Sequence, residues 1–243
     1  MIYKFCAQTN PGLARDNNED SAKFDESTGV GILADGMGGY NAGEVASGMA
    51  TEFINSEMAR WLKEAGGQAG PREIHRALEM CVDNANLAIF NAANDIALYS
   101  GMGTTLVVAV FHGDILLVGH IGDSRCYRLR QGEFVQITKD HSLLQEQIDA
   151  GLLTPEQAAI SLNKNLVTRA LGVDDSVMLE INDHLVETGD LYLMCSDGLS
   201  DMVQDAEISK ILEMPTPLEQ KAKYLIDAAN AHGGRDNITV LLV

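Results

Sequence analysis

Short apolar runs alternate along the chain with longer stretches in which apolar positions recur every three or four residues. Residues 30–34, 104–111, 115–120, 126–129, 134–137, 191–195 and 238–243 read as strands. His112-Gly113-Asp114 and Gln131-Gly132-Glu133 supply tight turns between neighbouring runs, which favours antiparallel hairpins over crossover helices. Val45, Met49 and Phe53 repeat at four-residue spacing toward Leu62, and Ile74, Leu78, Val82 and Ile89 mark a second long helix after Pro71. Gly66, Gly67 and Gly70 separate the two, which are expected to pack as a pair. Thr154-Pro155-Glu156-Gln157 and Thr216-Pro217-Leu218-Glu219 each have the form of a capping box with proline at the first helical position, so a helix is expected to begin at each. Hairpins flanked by helix pairs predict an α+β sandwich whose helices cover the outer faces of antiparallel sheets. No repeat, low-complexity tract or linker breaks the pattern, so residues 1–243 are expected to form one domain.

Composition narrows the class of molecule. With 46% hydrophobic residues, the 243-residue chain can fill a sizeable core. No stretch approaches the roughly 20 uninterrupted apolar residues of a membrane span, and the opening residues lack the apolar segment of a secretory signal, so a soluble cytoplasmic protein is expected. Cys6, Cys81, Cys126 and Cys195 are far apart and form no CxxC pair, which predicts buried free thiols. The balance of 35 acidic against 17 basic residues gives a formal net charge of −18, which repels a nucleic-acid backbone. Carboxylates are also the ligands that hard cations require.

Four aspartates stand beside glycine or at the mouth of an apolar run: Asp35 before Gly36, Asp123 after Gly122, Asp197 before Gly198 and Asp236 after Gly233-Gly234-Arg235. Each is expected where a strand meets a loop, with glycine allowing a ligand or a second chain segment to come close. A single Asp-Gly pair is an ordinary turn. Four of them converging would repel one another and raise each other's pKa unless a cation compensates. The donors are oxygens, with no HExxH and no paired cysteines, so Mg²⁺ or Mn²⁺ suits them better than Zn²⁺ or Cu²⁺. His120 and His232, the histidines within four residues of these aspartates, are expected to be structural and a loop residue respectively. Ahead of them, the stretch from Arg15 to Asp20 sets a planar guanidinium, able to hold two phosphate oxygens, next to carboxylates. An anion-binding arginine beside a dication site is what phosphoryl chemistry needs.

Taken together, Arg15-x-x-Asn18-Glu19-Asp20, Asp35-Gly36-Met37-Gly38-Gly39, Gly43-Glu44-Val45-Ala46, Gly103-Thr104-Thr105, Gly122-Asp123-Ser124-Arg125, Ser196-Asp197-Gly198-Leu199-Ser200-Asp201 and Asp236-Asn237-Ile238-Thr239 resemble the metal-dependent protein phosphatase family of the protein phosphatase 2C type, in its compact bacterial form. The match runs from about residue 8 to the last residue. The resemblance implies a four-layer α-β-β-α sandwich with two central antiparallel sheets. It also implies hydrolysis of phosphoserine and phosphothreonine by a metal-activated water at a binuclear Mn²⁺ or Mg²⁺ centre, opposing a bacterial serine/threonine kinase. By the same resemblance Asp35 would bridge two metals, the Gly36 carbonyl would ligate one, and Asp197 and Asp236 would complete the first shell. Glu19 would hold the second metal through water, Asp123 with Asp197 would form a weaker third site, and Arg15 would bind the substrate phosphate.

Two features qualify the resemblance. Many relatives carry a histidine near the metals to which general-acid duty is attributed; the corresponding positions here are Met37 and Tyr40, neither a ready acid at neutral pH. Leaving-group protonation is therefore expected from water at the metal centre. Residues 139–172 match the family's variable flap and read as two short helices around a turn, bordering the active site as ordinary packing or as a mobile lid. A pseudophosphatase would be expected to lack acidic ligands, and a two-metal nuclease sits badly with the acidic surface. A monomer acting on phosphorylated proteins is the expected state.

Overall fold

The structure, a computed structural model, describes residues 1–38, 42–67, 69–154, 157 and 166–243. Two antiparallel sheets lie face to face. The first takes the order β1-β11-β10-β7-β8, built from β1 (Cys6–Asn10), β7 (Arg125–Arg130), β8 (Glu133–Gln136), β10 (Leu191–Cys195) and β11 (Ile238–Leu242). The second takes the order β2-β3-β5-β6-β9, from β2 (Asp20–Asp25), β3 (Val30–Met37), β5 (Leu106–His112), β6 (Ile115–Ile121) and β9 (Glu180–Leu185), with the short β4 (Gly103–Thr104) paired to β3. The hairpins expected at Gly113-Asp114 and Gln131-Gly132 close β5–β6 and β7–β8, with His112 opposite Ile115 and Arg130 opposite Glu133.

Central strands are buried on both faces, which is why they read as continuous apolar runs. Ile32 and Ala34 of β3 face the helices α1 (Ala42–Ala65) and α2 (Pro71–Asp95), while Leu33 between them points into the inter-sheet core with Val107, Val118 and Leu241. The opposite face of the first sheet packs Leu193, Cys195 and Val240 against α5 (Asp205–Glu213) and α6 (Leu218–Ala231). Four layers result, helix pair, sheet, sheet, helix pair, as the resemblance implies.

Several local expectations need correction. In α1 the deepest stripe is Ala46, Ala50, Ile54 and Met58, and Val45, Met49 and Phe53 flank it half-buried. Small residues on that stripe let the helix approach the sheet closely, so hydrophobicity alone places the stripe one position off. At Thr216 there is no capping box: α6 begins at Leu218, Pro217 takes the cap position without a side-chain bond, and Thr216 Oγ1 is buried without a partner among the described residues. The helix start is shifted by one residue, which puts the threonine hydroxyl out of reach of the free N–H groups. The strands β1, β2 and β9 escape a hydrophobic reading because each lies at a sheet edge and is rich in polar residues. In the flap, α3 (Leu143–Asp149) is capped by Ser142 Oγ accepting from the Gln145 N–H at 3.2 Å. The second flap helix lies mostly outside the described residues, although Thr154 and Gln157 exchange the reciprocal capping bonds expected of them. All four cysteines are buried and free.

Candidate active site

One end of the sandwich, where the two sheets meet, collects the acidic positions. Asp35 stands on β3 directly across from Asp20 on β2. Three bonds hold its peptide: its N–H donates to Thr105 Oγ1 at 3.0 Å, and its carbonyl accepts from the Thr105 N–H and from Thr104 Oγ1, both at 2.9 Å. Thr105 Oγ1 in turn lies 2.7 Å from Ser124 Oγ, linking β3 to the turn that carries Asp123. Asp197 opens the short helix α4 (Asp197–Ser200) immediately after β10, and Asp236 sits two residues before β11. Asp123, Asp197 and Asp236 thus lie in the loops next to strand ends, as expected, whereas Asp35 lies inside β3, which runs on through Gly36 and Met37 to pair with β4.

The next residues in space reveal why glycines accompany them. A Cβ on Gly36 would run into the Gly43 carbonyl, and one on Gly43 would come within 2.8 Å of the Gly36 carbonyl and 2.9 Å of the Glu19 carboxyl carbon. Strand and helix start therefore meet backbone to backbone, with Glu19 pressed against both; the Gly36 N–H donates to the Glu19 carbonyl at 3.0 Å, and Ser47 Oγ donates to the same oxygen. Arg15 arrives from the far side, its Nη2 2.7 Å from Asp236 Oδ2. The structure thus brings Arg15, Glu19, Asp35, Gly36, Asp123, Asp197 and Asp236 into one region.

Electrostatically the region is crowded. Asp35 and Asp197 keep some exposed surface, but protein atoms surround their carboxyl groups. Burial first, and then the charges of Asp20, Asp197, Asp123 and Asp236, drive Asp35 well above the ordinary carboxylate range. Burial followed by Asp123, Asp236, Asp201 and Asp20 does the same to Asp197. Asp20 and Asp123 are each pushed up to about 6, chiefly by burial. The donor set consists of oxygens, and Asp20 Oδ1 is a buried oxygen with no hydrogen-bond partner among the described residues. These residues fit a hard dication in both ligand chemistry and uncompensated charge.

Asp20 and its partner Ser196 escape a reading based on acid–glycine pairs. Ser196 Oγ donates to Asp20 Oδ2 at 2.7 Å and accepts the Thr239 N–H at 3.0 Å, joining the two sheets. The signal lay in the dense run Asn18-Glu19-Asp20, in which Asp20 had no assigned task. Met37 ends β3 half-buried, and Tyr40 lies outside the described residues. His232 is an exposed residue paired with Glu207.

His120 is fully buried beside the Asp123 turn, in the set of described residues His120, His141 and Glu180 whose potential ligand atoms all lie within 4.8 Å of one another. The hydrogen bonds there describe packing. His141 Nδ1 accepts the Gly122 N–H at 3.1 Å, so in the neutral ring Nε2 carries the proton, 3.3 Å from Glu180 Oε2. The Arg169 guanidinium lies 3.4 Å from the same Nε2, and the His120 ring stacks on His141 with its Nε2 2.7 Å from the Lys139 carbonyl.

Known proteins place this arrangement. The sequence pattern of the Protein phosphatase 2C family matches residues 14–240. The serine/threonine phosphatase stp of Listeria innocua is 38% identical over 239 residues, covering 97% of this chain and 93% of that protein. The crystal structure of the Mycobacterium tuberculosis serine/threonine phosphatase PstP/Ppp superposes with a TM-score of 0.88 at 39% identity, covering 98% of this chain and 97% of that one. The catalytic domain of PstP in complex with two manganese ions gives a TM-score of 0.85 at 38% identity, over 98% of this chain and 96% of that one. With its four layers, its acidic end and this likeness over nearly the full length, the chain belongs to the protein phosphatase 2C family of metal-dependent phosphoprotein phosphatases.

Proposed function

We propose that the chain hydrolyses phosphoserine and phosphothreonine in proteins at a binuclear Mn²⁺ or Mg²⁺ centre. The observation that carries this reading is the crowding of Asp35 and Asp197 among Asp20, Asp123 and Asp236 at one end of the sandwich, with one arginine bound at its edge. In this reading Asp35, the Gly36 carbonyl, Asp197, Asp236 and, through water, Glu19 would hold the two dications, and Asp123 with Asp197 would hold a weaker third. When bound, the dications supply Lewis-acid activation of water and neutralise the charge that develops on the phosphoryl oxygens.

The chain's own groups do the remainder. Arg15 is half exposed and tethered through one Nη to Asp236, which leaves the other donors of its fork for two oxygens of the substrate phosphate. The bonds of Thr104 and Thr105 to the Asp35 main chain fix the backbone from which its carboxylate projects. No helix among the described residues is long and apolar enough to cross a membrane. The reading takes residues 1–243 as one catalytic unit, a cytoplasmic monomer with phosphorylated proteins as substrates and a cognate bacterial serine/threonine kinase as the enzyme it opposes.

The likeness to stp, itself a serine/threonine phosphatase, supports the choice of substrate. Phosphothreonine and phosphotyrosine peptides offered side by side test it. Release of phosphate from the phosphothreonine peptide should need added Mn²⁺ or Mg²⁺ and stop with chelator. Full turnover in chelator, or preference for phosphotyrosine, contradicts the reading.

A further inference from the structure

Residues 11–19, which bring Arg15 and Glu19 to the acidic end, contain no helix or strand. Their path is nevertheless set from outside, by the loop that precedes β11. The Leu13 and Ala14 N–H groups both donate to the Gly234 carbonyl, at 2.7 and 3.2 Å. Asn237 completes the attachment. It is 5% exposed, and its side chain spends all of its bonds on the main chain of this one segment. Oδ1 accepts the Glu19 N–H at 2.8 Å, while Nδ2 donates to the Asn17 carbonyl at 2.9 Å and the Pro11 carbonyl at 3.0 Å.

That combination of one acceptor and two coplanar donors belongs to a carboxamide. A carboxylate of the same shape would oppose oxygen to oxygen at both carbonyls, and a methyl group would take the carboxamide partner from all three part-buried main-chain groups. The backbone of the anchor packs directly on α4, where a Cβ on Gly198 would overlap the Asn237 carbonyl. The preceding residue is Asp236, which holds the Arg15 guanidinium at 2.7 Å and receives the Asn237 N–H at 2.9 Å. Two adjacent side chains thus grip one segment, Asp236 at the Arg15 guanidinium and Asn237 at the segment's main chain.

We propose that Asn237 is a positioning residue for the phosphatase reaction: its buried carboxamide sets the 11–19 segment so that Arg15 and Glu19 reach the aspartate cluster together. The kinetic consequence rests on the reading of Arg15 as the phosphate-binding group.

Two measurements on Asn237→Ala and Asn237→Asp test it. In the metal-free protein, amide hydrogen exchange at Glu19 should accelerate by about tenfold or more in Asn237→Ala while the amides of β5 stay protected, which separates loss of this anchor from general loosening. In a kinetic cycle, Arg15→Ala should lower kcat/KM by about tenfold or more in the parent and by about threefold or less in the Asn237→Ala background, because a misplaced guanidinium has little left to lose. Unchanged exchange at Glu19, or an equal Arg15→Ala penalty in both backgrounds, overturns the proposal. Should Asn237→Ala fail to fold, Asn237→Asp keeps the volume and the Oδ1 acceptor of the Glu19 N–H but sets oxygen against the Pro11 and Asn17 carbonyls, and it is judged by the kinetic cycle alone: an Arg15→Ala penalty equal to that in the parent overturns the proposal. If Arg15→Ala costs the parent nothing, the phosphate-binding role falls, and the exchange result still decides the anchoring role of Asn237.

Discussion

Two carboxylates at different places in the sandwich are handled in opposite ways. Asp190, whose side chain is 2% exposed, meets the Arg130 fork at 2.8 and 2.7 Å and also accepts from the Glu187 N–H and the Tyr192 hydroxyl. Burial pushes its pKa up, but those bonds outweigh it and hold the group below the usual range. Asp123 is buried in the loop beyond β6; burial and the charge of Asp140 raise it to about 6, and the nearby Arg125 is committed to Asp140 through paired bonds of 2.7 to 3.0 Å. The same chain therefore pairs its buried acids with arginine at one place and leaves them crowded at another. The contrast locates the chemistry better than acidity does, because surplus charge is tolerated only where something else is meant to neutralise it.

The largest effect expected of this contrast falls on turnover. Asp35→Asn or Asp236→Asn should lower kcat by about 10³-fold or more, on the order of 4 kcal/mol, with the far-UV circular dichroism unchanged. Retained turnover in either variant would show that the crowding has no catalytic purpose. Arg15→Ala comes next, with a loss of about 1.5–3 kcal/mol in kcat/KM, roughly 10- to 150-fold, as a charge-assisted partner of the phosphate disappears.

Stability measurements in chelator sharpen the comparison further, since the two acids should respond with opposite signs. Arg130→Gln leaves Asp190 buried without its ion partner and should lower stability at pH 7 by about 1–3 kcal/mol, read by urea denaturation. Asp123→Asn removes a carboxylate that the fold disfavours and should raise it by about 1–2 kcal/mol. The pH dependence follows the same division. A raised carboxyl costs nothing while it is protonated in both states, so the Asp123→Asn gain should vanish below about pH 4 and grow as pH rises through 6. The Asp190 contribution is full at neutral pH and fades as pH falls through the carboxylate range. Equal signs for the two variants would erase the distinction. Smallest of all, Tyr40→Phe should change kcat by less than about twofold, because a phenol, with an ordinary pKa of about 10, is a poor acid near neutrality.

Much of this was open to inspection in the residues alone. The central strands announced themselves because burial on both faces removes polar residues from them, and Ile74, Leu78, Val82 and Ile89 mark the inner face of α2 because they are large and fully buried. What stayed hidden depends on polarity or smallness doing the work of packing. β2 begins with the buried acid Asp20 and reads as a loop, and the inner stripe of α1 is mostly alanine, which weakens its periodic signal. Of the site, the aspartates beside glycine were legible as candidates. The hydroxyls of Thr104, Thr105 and Ser196 and the amide of Asn237 were not, because their significance lies in partners up to 226 positions away along the chain.

The contact between Gly36 and Gly43 limits how an enzyme built this way can diversify. Side chains can swap rotamers to absorb a neighbour's change, but two peptide groups in van der Waals contact have no such slack, so the floor beneath the aspartates admits neither growth nor gradual reshaping. New specificity has to be written on the rim, in the Arg15 segment or the flap, where altered residues meet solvent before they meet the backbone.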